Sequence, residues 1–108
     1  MSGLIYHCSL LADWEAALAA GEYTVSSRGR TLEQEGFIHA CYADQVDGVR
    51  QRFYADVTEP MVLLVIDPDR LSSPVVPESP PGVQEEFPHI YGKLDLAAVV
   101  AVEPLPGH

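Results

Sequence analysis

Short apolar runs alternate with amphipathic stretches along this chain, and the pattern predicts a small α+β fold. Four segments are predicted as strands: Leu4–Cys8, Phe37–Cys41, Met61–Ile66 and Leu94–Val102. The run Met61–Ile66 contains no polar residue, which predicts a central strand buried on both faces. We expect these strands to form a mixed, mostly antiparallel sheet that packs with two main helices.

The first of these helices is expected directly after the first strand. Ser9 is expected to cap it, because a serine hydroxyl can accept a hydrogen bond from the first free backbone N–H groups. Leu11, Trp14 and Leu18 recur at helical spacing and are expected to be buried. Gly21 is the expected end of the helix, since glycine adopts the left-handed conformation that closes many helices.

The second main helix is predicted from residue 44 to 53 or 54. Val46, Val49 and Phe53 lie three and four residues apart, so they share one face of it. Between the two helices, Thr31 is expected to cap a single helical turn.

The remaining segments are predicted to be irregular. Residues 26–30 are expected to form a loop, and residues 71–88, with five prolines, a long irregular segment of the kind that is often functional. Residues 103–108 are expected to be a frayed tail. We therefore expect a single domain over residues 1–108, with its core at about 4–102.

The chain is acidic, with a net charge of −10 and a pI near 4.5. A nucleic-acid-binding protein needs a basic surface that displaces counterions, so no nucleic-acid partner is expected. Four of the six cationic residues fall in two close pairs. They are expected to be solvated, with a clamp for a phosphorylated small molecule as the alternative. The pairs are Arg28/Arg30 and Arg50/Arg52.

The amino-acid sequence predicts neither a membrane-spanning segment nor a cleaved export signal. No apolar run approaches the roughly 18 residues of a transmembrane helix. The first residues carry no basic leader, so we expect a cytoplasmic protein. Cys8 and Cys41 are the only cysteines, and we expect small buried thiols in a reducing compartment rather than a disulfide. The sequence leaves the oligomeric state open.

Three histidines lie within strand-like, weakly polar segments: His7, His39 and His89. A buried imidazole without hydrogen-bond partners costs about 1–3 kcal/mol, so each needs a polar environment. Three in so short a chain predict a shared pocket in which they are the candidate catalytic residues. The alternative is three unrelated core histidines.

Aromatic and hydroxyl side chains accompany these histidines. Tyr6, Phe37 and Tyr91 are predicted to offer stacking faces to a small-molecule ligand, and Ser27 to offer a hydroxyl. These four are the candidate cofactor- or ligand-binding residues. The resident cofactor, if the protein has one, is not specified by any motif in the chain, because both glycine-rich phosphate-binding patterns are missing.

Metal chemistry and thiol chemistry are the competing interpretations. His7, His39 and His89 could serve a metal-dependent enzyme, because three neutral imidazoles can bind zinc or iron. No closely spaced ligand pair such as C-x2-C is present, and His7 and Cys8 face opposite sides of a strand, so we assign no metal ligands. Cys41 has no evident electropositive neighbour that would make it a nucleophile.

Several strings along the chain closely resemble the bacterial domain of unknown function 952. The resemblance extends over roughly residues 4–102, and two strings are specific to that family: Glu-Gly-Phe-Ile-His at 35–39 and Phe-Pro-His-Ile-Tyr-Gly at 87–92. Further matches are Ile5-Tyr6-His7, Trp14, Gly21-Glu22-Tyr23, Ser26-Ser27, Asp44-Gln45-Val46, Arg52-Phe53-Tyr54 and Leu63-Leu64-Val65-Ile66-Asp67.

That family looks distantly similar to the ADP-ribosyltransferase superfamily, which splits NAD at the nicotinamide–ribose bond. The resemblance implies an ADP-ribosyltransferase-like fold and NAD, or an ADP-ribose-like compound, as ligand and substrate. It places His7 at the position that holds the ribose or phosphate, and His39 at the position that frames nicotinamide. The third position is His89, Glu78 or Glu86. A non-catalytic binding or interaction module with the same pocket remains the alternative.

Overall fold

The computed structural model describes residues 3–105, which form eight strands and three helices in an α+β arrangement. Three 3-10 turns, at Ala43–Gln45, Pro68–Arg70 and Leu96–Ala98, connect them. The strands are β1 (Ile5–Leu10), β2 (Val25–Ser27), β3 (Arg30–Thr31), β4 (Ile38–His39), β5 (Met61–Ile66), β6 (Val75–Glu78), β7 (Phe87–Ile90) and β8 (Val99–Leu105). The helices are α1 (Leu11–Ala20), α2 (Leu32–Glu35) and α3 (Val46–Phe53).

The largest strand pairings occur in a three-stranded sheet of order β1-β5-β8. All six residues of β5 are buried, which confirms the prediction of a central strand covered on both faces. Leu64 and Ile66 of this strand are fully buried and belong to the larger of two hydrophobic clusters. Tyr23 and Ile90 pack in the same cluster, so the core joins β5 to the second half of the fold.

A second three-stranded sheet has the order β4-β7-β6. It is joined to the first sheet where Tyr6 of β1 and Cys41, just after β4, exchange backbone hydrogen bonds of 2.8 and 2.7 Å. Within residues 3–105 every strand pairing is antiparallel, so the prediction of a mixed sheet is wrong. The junction matters for function, because it brings β1 next to β4 and β7.

The segment predicted to be irregular, residues 71–88, contains strand β6. Val75 and Val76 favour extended backbone, and Val76 pairs with His89 in an antiparallel register. Proline is tolerated in β6 because it is the outer strand of its sheet, where Pro77 faces Pro88 and neither has an N–H group to donate. The number of prolines therefore led to the prediction of an irregular segment where part of the chain forms a strand.

Helix α1 follows β1 as predicted, but its first turn is not capped by Ser9. Strand β1 continues to Leu10, so Ser9 lies inside the strand and its hydroxyl contacts the Leu10 carbonyl and the Tyr23 hydroxyl. Trp14 is buried as expected, whereas Leu18 is 55% exposed. Gly21 ends the helix in the left-handed region at φ 89°.

The Thr31 cap is confirmed. Its hydroxyl accepts from the Gln34 N–H at 3.2 Å, and the Gln34 side chain accepts from the Thr31 N–H at 3.0 Å, which is a capping box. Helix α3 runs from Val46 to Phe53 after a 3-10 turn, close to the predicted bounds. Phe53, on the face that it was predicted to share with Val46 and Val49, is 53% exposed.

Two further boundaries differ from the predictions. Residues 25–31 form a small hairpin of β2 and β3 around Gly29, at φ 72°, rather than an open loop. Strand β8 begins at Val99 instead of residue 94 and continues to Leu105, so part of the predicted tail pairs with β5. Because β8 is an outer strand, it accommodates Pro104. Residues 106–108 of the predicted tail lie outside the described residues.

Candidate functional site

A cavity of about 400 Å³ lies where the two three-stranded sheets meet. One wall is formed by side chains of β1, β4 and β7, and the other by α3 together with residues of the loop between β6 and β7. His7, His39 and His89 all line it, as do Tyr6 and Ser27 among the predicted binding residues. The volume falls within the range of ordinary small-molecule sites.

Strand register brings two of the three histidines together. His39 of β4 is the direct register partner of His89 of β7, and their ring centroids are 5.0 Å apart. Phe37 packs against both, stacked on His89 at 4.2 Å and edge-on to His39 at 4.7 Å. Tyr91 contacts Phe37 at 5.3 Å, so both predicted aromatic residues support the imidazoles from beside the cavity.

His89 forms a hydrogen-bonded unit with Glu78 of β6. The His89 Nδ1 atom lies 2.8 Å from Glu78 Oε1, and the same oxygen accepts from the Tyr91 hydroxyl at 2.5 Å. Hydrogen bonds from Tyr91 and His89 hold the pKa of the Glu78 carboxyl below its usual range. The carboxylate is therefore ionised at neutral pH and accepts a hydrogen from each partner.

His7 occupies a different environment, although its ring also reaches the cavity. Its Nδ1 atom is 2.5 Å from the His39 carbonyl oxygen, and its Nε2 atom is 2.9 Å from the Tyr23 hydroxyl. Burial lowers the pKa of His7 to about 4, so the ring is neutral at pH 7. Because a carbonyl can only accept, Nδ1 carries the hydrogen, while Nε2 faces the oxygen of Tyr23, whose own hydrogen is donated to Ser9 Oγ at 2.9 Å. Both ring nitrogens are thus already engaged.

His39 is the most accessible of the three imidazoles, with 40% of its side chain exposed. Its Nε2 atom lies 3.4 Å from Glu35, at the end of α2. Burial lowers the pKa of His39, the Glu35 hydrogen bond opposes that shift, and the neighbouring His89 adds to it. The ring is therefore predominantly neutral at neutral pH.

Two arginines line the cavity, Arg52 from α3 and Arg28 from the turn between β2 and β3. Arg28 makes an ion pair with Asp56 through two N–O contacts, of 2.5 and 3.3 Å. Arg52 has no ion-pair partner within residues 3–105 and lies 5.9 Å from the centroid of the Phe53 ring. No aspartate or glutamate of that described part of the chain lines the cavity. Because Asp56 balances the charge of Arg28, Arg52 supplies the remaining positive charge of a wall that is otherwise aromatic and apolar, in an acidic protein.

The cysteines and the metal hypothesis do not gain support from this geometry. Burial raises the pKa of Cys8 to about 11 and that of Cys41 to about 12, so neither is a reactive thiolate at neutral pH. The described residues contain no group of three or more His, Cys, Asp and Glu side chains placed to hold a metal ion. His7 could join such a group only by breaking its present hydrogen bonds.

From the sequence, Glu78 was only one of three candidates for the third site position, with His89 and Glu86. The contact of Tyr23 with His7 and the position of Phe53 in the cavity wall were not predicted. Glu86, the other acidic candidate, is exposed, and its backbone carbonyl rather than its side chain is held, by Gln45 at 2.9 Å. No local pattern in the sequence identified Glu78, because it shares a face of the sheet with His89 only through the register that pairs Val76 with His89 and Glu78 with Phe87.

The family relationship follows from comparison with known proteins. Residues 8–102 match the model of a family described as Protein of unknown function (DUF952). The chain belongs to this family. The strings around the candidate site, at 35–39 and 87–92, lie inside the matched range of this DUF952 protein. No curated protein matches it.

Solved structures confirm the α+β fold of the DUF952 protein. The crystal structure of protein CC0527 from Caulobacter crescentus is 27% identical, with a TM-score of 0.81, covering 96% of this chain and 87% of that one. The solution structure of CC0527 is 28% identical, with a TM-score of 0.72, covering 94% and 84%. A double mutant of CC0527 is 26% identical, with a TM-score of 0.81 and coverage of 96% and 87%. The resemblance to ADP-ribosyltransferases stays a prediction. Within the described residues no helix is long and apolar enough to cross a membrane.

Proposed function

We propose that this DUF952 protein binds a small anionic organic molecule in the 400 Å³ cavity, and that NAD or an ADP-ribose-like compound is the ligand. The charge of the cavity wall carries the proposal. The chain has 16 acidic and 6 Lys or Arg residues, yet Arg28 and Arg52 line the cavity and, within residues 3–105, no carboxylate does. Such segregation favours an anion, for which arginine is a good partner.

The aromatic and apolar part of the wall supports a ligand with a flat ring as well as a phosphate. Tyr6 of β1 and Phe53 of α3 line the cavity together with Val49 and Val83. Ser27 adds a hydroxyl next to Arg28. A dinucleotide or nucleoside diphosphate combines phosphate charge with hydroxyls and flat rings, which these residues complement. We propose that Tyr6 and Ser27 contact this ligand and that Phe37 and Tyr91 support the imidazoles.

Transfer of ADP-ribose is the second candidate function, and the Glu78–His89 unit favours it over simple binding. A histidine with one nitrogen held by a carboxylate is the usual arrangement of an acid–base residue. We propose His7, His39 and His89 as the site histidines, with His7 holding the site together and His39 and His89 facing the ligand. The two unpaired cysteines fit a reducing compartment, and we propose a cytoplasmic protein on that basis.

Thermal unfolding with NAD, ADP-ribose and nicotinamide tests the binding proposal. A ligand present at 100 times its Kd stabilises the native state by about 2.7 kcal/mol, which raises Tm by on the order of 10 °C in a chain of this size. We expect that rise with NAD or ADP-ribose. Arg52→Ala is expected to reduce it, whereas Arg70→Ala, which removes an arginine outside the cavity wall, is expected to leave it unchanged. No rise in Tm with any of the three compounds would refute the proposal.

A further inference from the structure

We infer that His89 is the catalytic base of this cavity and that Glu78 is its positioning residue. The inference rests on the proposed function for its substrate, and it selects one residue pair from the candidates for the third site position. Three observations carry it: the carboxylate on one ring nitrogen, the availability of the other, and the fixed plane of the imidazole.

The hydrogen bond to Glu78 determines which nitrogen of His89 is free. An ionised carboxylate only accepts, so the contact of 2.8 Å requires a hydrogen on Nδ1, and the tautomer that this contact selects has its lone pair on Nε2. Within residues 3–105 no side chain or backbone group hydrogen-bonds to Nε2, and this atom is not sealed from solvent. Because His89 lines the cavity, the Nε2 lone pair is available to a bound molecule there.

The ring of His89 is held in one orientation. Its side chain is 6% exposed, and Phe37 stacks on it with an angle of 16° between the ring planes. The Tyr91 hydroxyl fixes the carboxylate oxygen that His89 contacts, so the pair is supported from a second side. A base whose rotamer and partner are both fixed loses little freedom when it meets substrate.

The other two histidines lack this combination. His7 has both nitrogens engaged inside the fold, with the His39 carbonyl and the Tyr23 hydroxyl. His39 contacts Glu35 at 3.4 Å, too long for a strong hydrogen bond, and 40% of its side chain is exposed. His89 alone among the three combines a short carboxylate contact, a nearly buried ring and a free nitrogen.

The corresponding step on NAD is a displacement at the ribose carbon that carries nicotinamide. The oxygen of a water molecule forms a bond to that carbon, while the carbon–nitrogen bond breaks and its electron pair leaves with neutral nicotinamide. His89 Nε2 accepts the proton that the water loses, and Glu78 stabilises the resulting imidazolium. In a transfer reaction, the hydroxyl of an acceptor replaces water, and the proton follows the same route.

The first experiment needs no substrate. Diethyl pyrocarbonate acylates an unprotonated imidazole nitrogen and releases carbon dioxide and ethanol, and peptide mapping assigns the modified histidine. We expect His89 to be acylated in the folded protein and His7 not to be. Glu78→Gln is expected to slow acylation of His89 several-fold, because the neutral amide stabilises the attacking ring less. Glu86→Gln, the same change at an exposed residue away from the cavity wall, is expected to have no effect.

The second experiment measures NAD consumption. His89→Asn is expected to lower kcat by about 100-fold or more, the usual contribution of general base catalysis, while the rise in Tm with NAD persists. Because His89 is nearly buried, Glu78→Gln is the second variant: its side chain is 39% exposed, so the fold is expected to be retained. The Glu78→Gln variant should lower kcat and leave KM unchanged.

The outcomes separate the inference from the proposed function. If NAD and ADP-ribose leave Tm unchanged, the proposed ligand is wrong, and the acylation experiment still decides the role of His89. If His89 is not acylated in the folded protein, or is acylated equally fast in Glu78→Gln and in Glu86→Gln, the inference is overturned. NAD consumption by His89→Asn at the wild-type rate overturns it too, with ligand binding intact.

Discussion

Acid destabilisation through His7 is the consequence of this fold that can be worked out most fully. Burial lowers the pKa of His7 from 6.5 in the unfolded chain to about 4 in the native state. The unfolded state therefore binds more protons than the native state between these values, and stability falls as the pH drops below 6.5. With these two pKa values, the native state loses about 2 kcal/mol between pH 7 and pH 5 through this one group.

The loss has a structural cause that a variant can isolate. A protonated His7 ring would carry a positive charge inside the core, where burial removes the water that stabilises that charge in the unfolded chain. His7→Gln cannot titrate, so its free energy of unfolding should change with pH by about 2 kcal/mol less over the same interval. Gln also replaces only part of the hydrogen bonding, which costs about 1–3 kcal/mol at pH 7.

Urea unfolding at pH 7, 6 and 5, followed by circular dichroism, measures both effects. Carboxyl groups remain largely ionised in this interval, so their contribution is small. His39→Gln is the matched control. The pKa of His39 is also lowered. Because the His39→Gln variant retains His7, the greater part of the pH dependence of its unfolding free energy should persist. Equal losses of unfolding free energy in wild type and in His7→Gln would refute the assignment of His7 as a neutral buried group.

Two further predictions concern the loop over the cavity and the buried thiols. Gln45 donates to the Glu86 carbonyl at 2.9 Å and to the Glu85 carboxylate at 3.2 Å. Because Gln45→Ala removes both hydrogen bonds, it should speed backbone hydrogen exchange in residues 79–86. It should also lower the free energy of unfolding by about 1 kcal/mol. Gln51→Ala, an exposed change on α3, is the control, and equal exchange in both variants would contradict the role given to Gln45. Iodoacetamide should alkylate Cys8 and Cys41 far more slowly in the folded protein than in urea at pH 8, because burial raises the pKa values of these thiols to about 11 and 12. Mass spectrometry measures the alkylation rates. Similar rates in the folded and the unfolded protein would contradict the burial of these thiols.

Elements whose apolar pattern is strong were predictable. Met61–Ile66 has no polar position, and a strand buried on both faces is the structure such a run favours. The capping box at Thr31 and the left-handed end of α1 at Gly21 were also predictable, because they depend on residues only a few positions apart. Local chemistry decides such features, and the amino-acid sequence displays it directly.

Elements at the edges of sheets were predicted less well. Strand β6 was hidden by Pro77, and the end of β8 by Pro104. Proline opposes a strand only where its missing N–H group would have had a partner, and both residues lie on outer strands. Whether a strand is outer or central depends on the order of strands in the sheet, and no local pattern contains that order.

The same division applies to the candidate site. The amino-acid sequence by itself determined that three histidines lie in apolar, strand-like segments, that the chain is acidic, and where the most apolar strands and the two main helices lie. Only the tertiary structure decided which partners these histidines have: Tyr23 for His7, and Glu78 for His89. Residues 7 and 23, or 78 and 89, meet because of strand pairing and core packing, and the free energies of those long-range contacts outweigh the local preferences that a sequence displays.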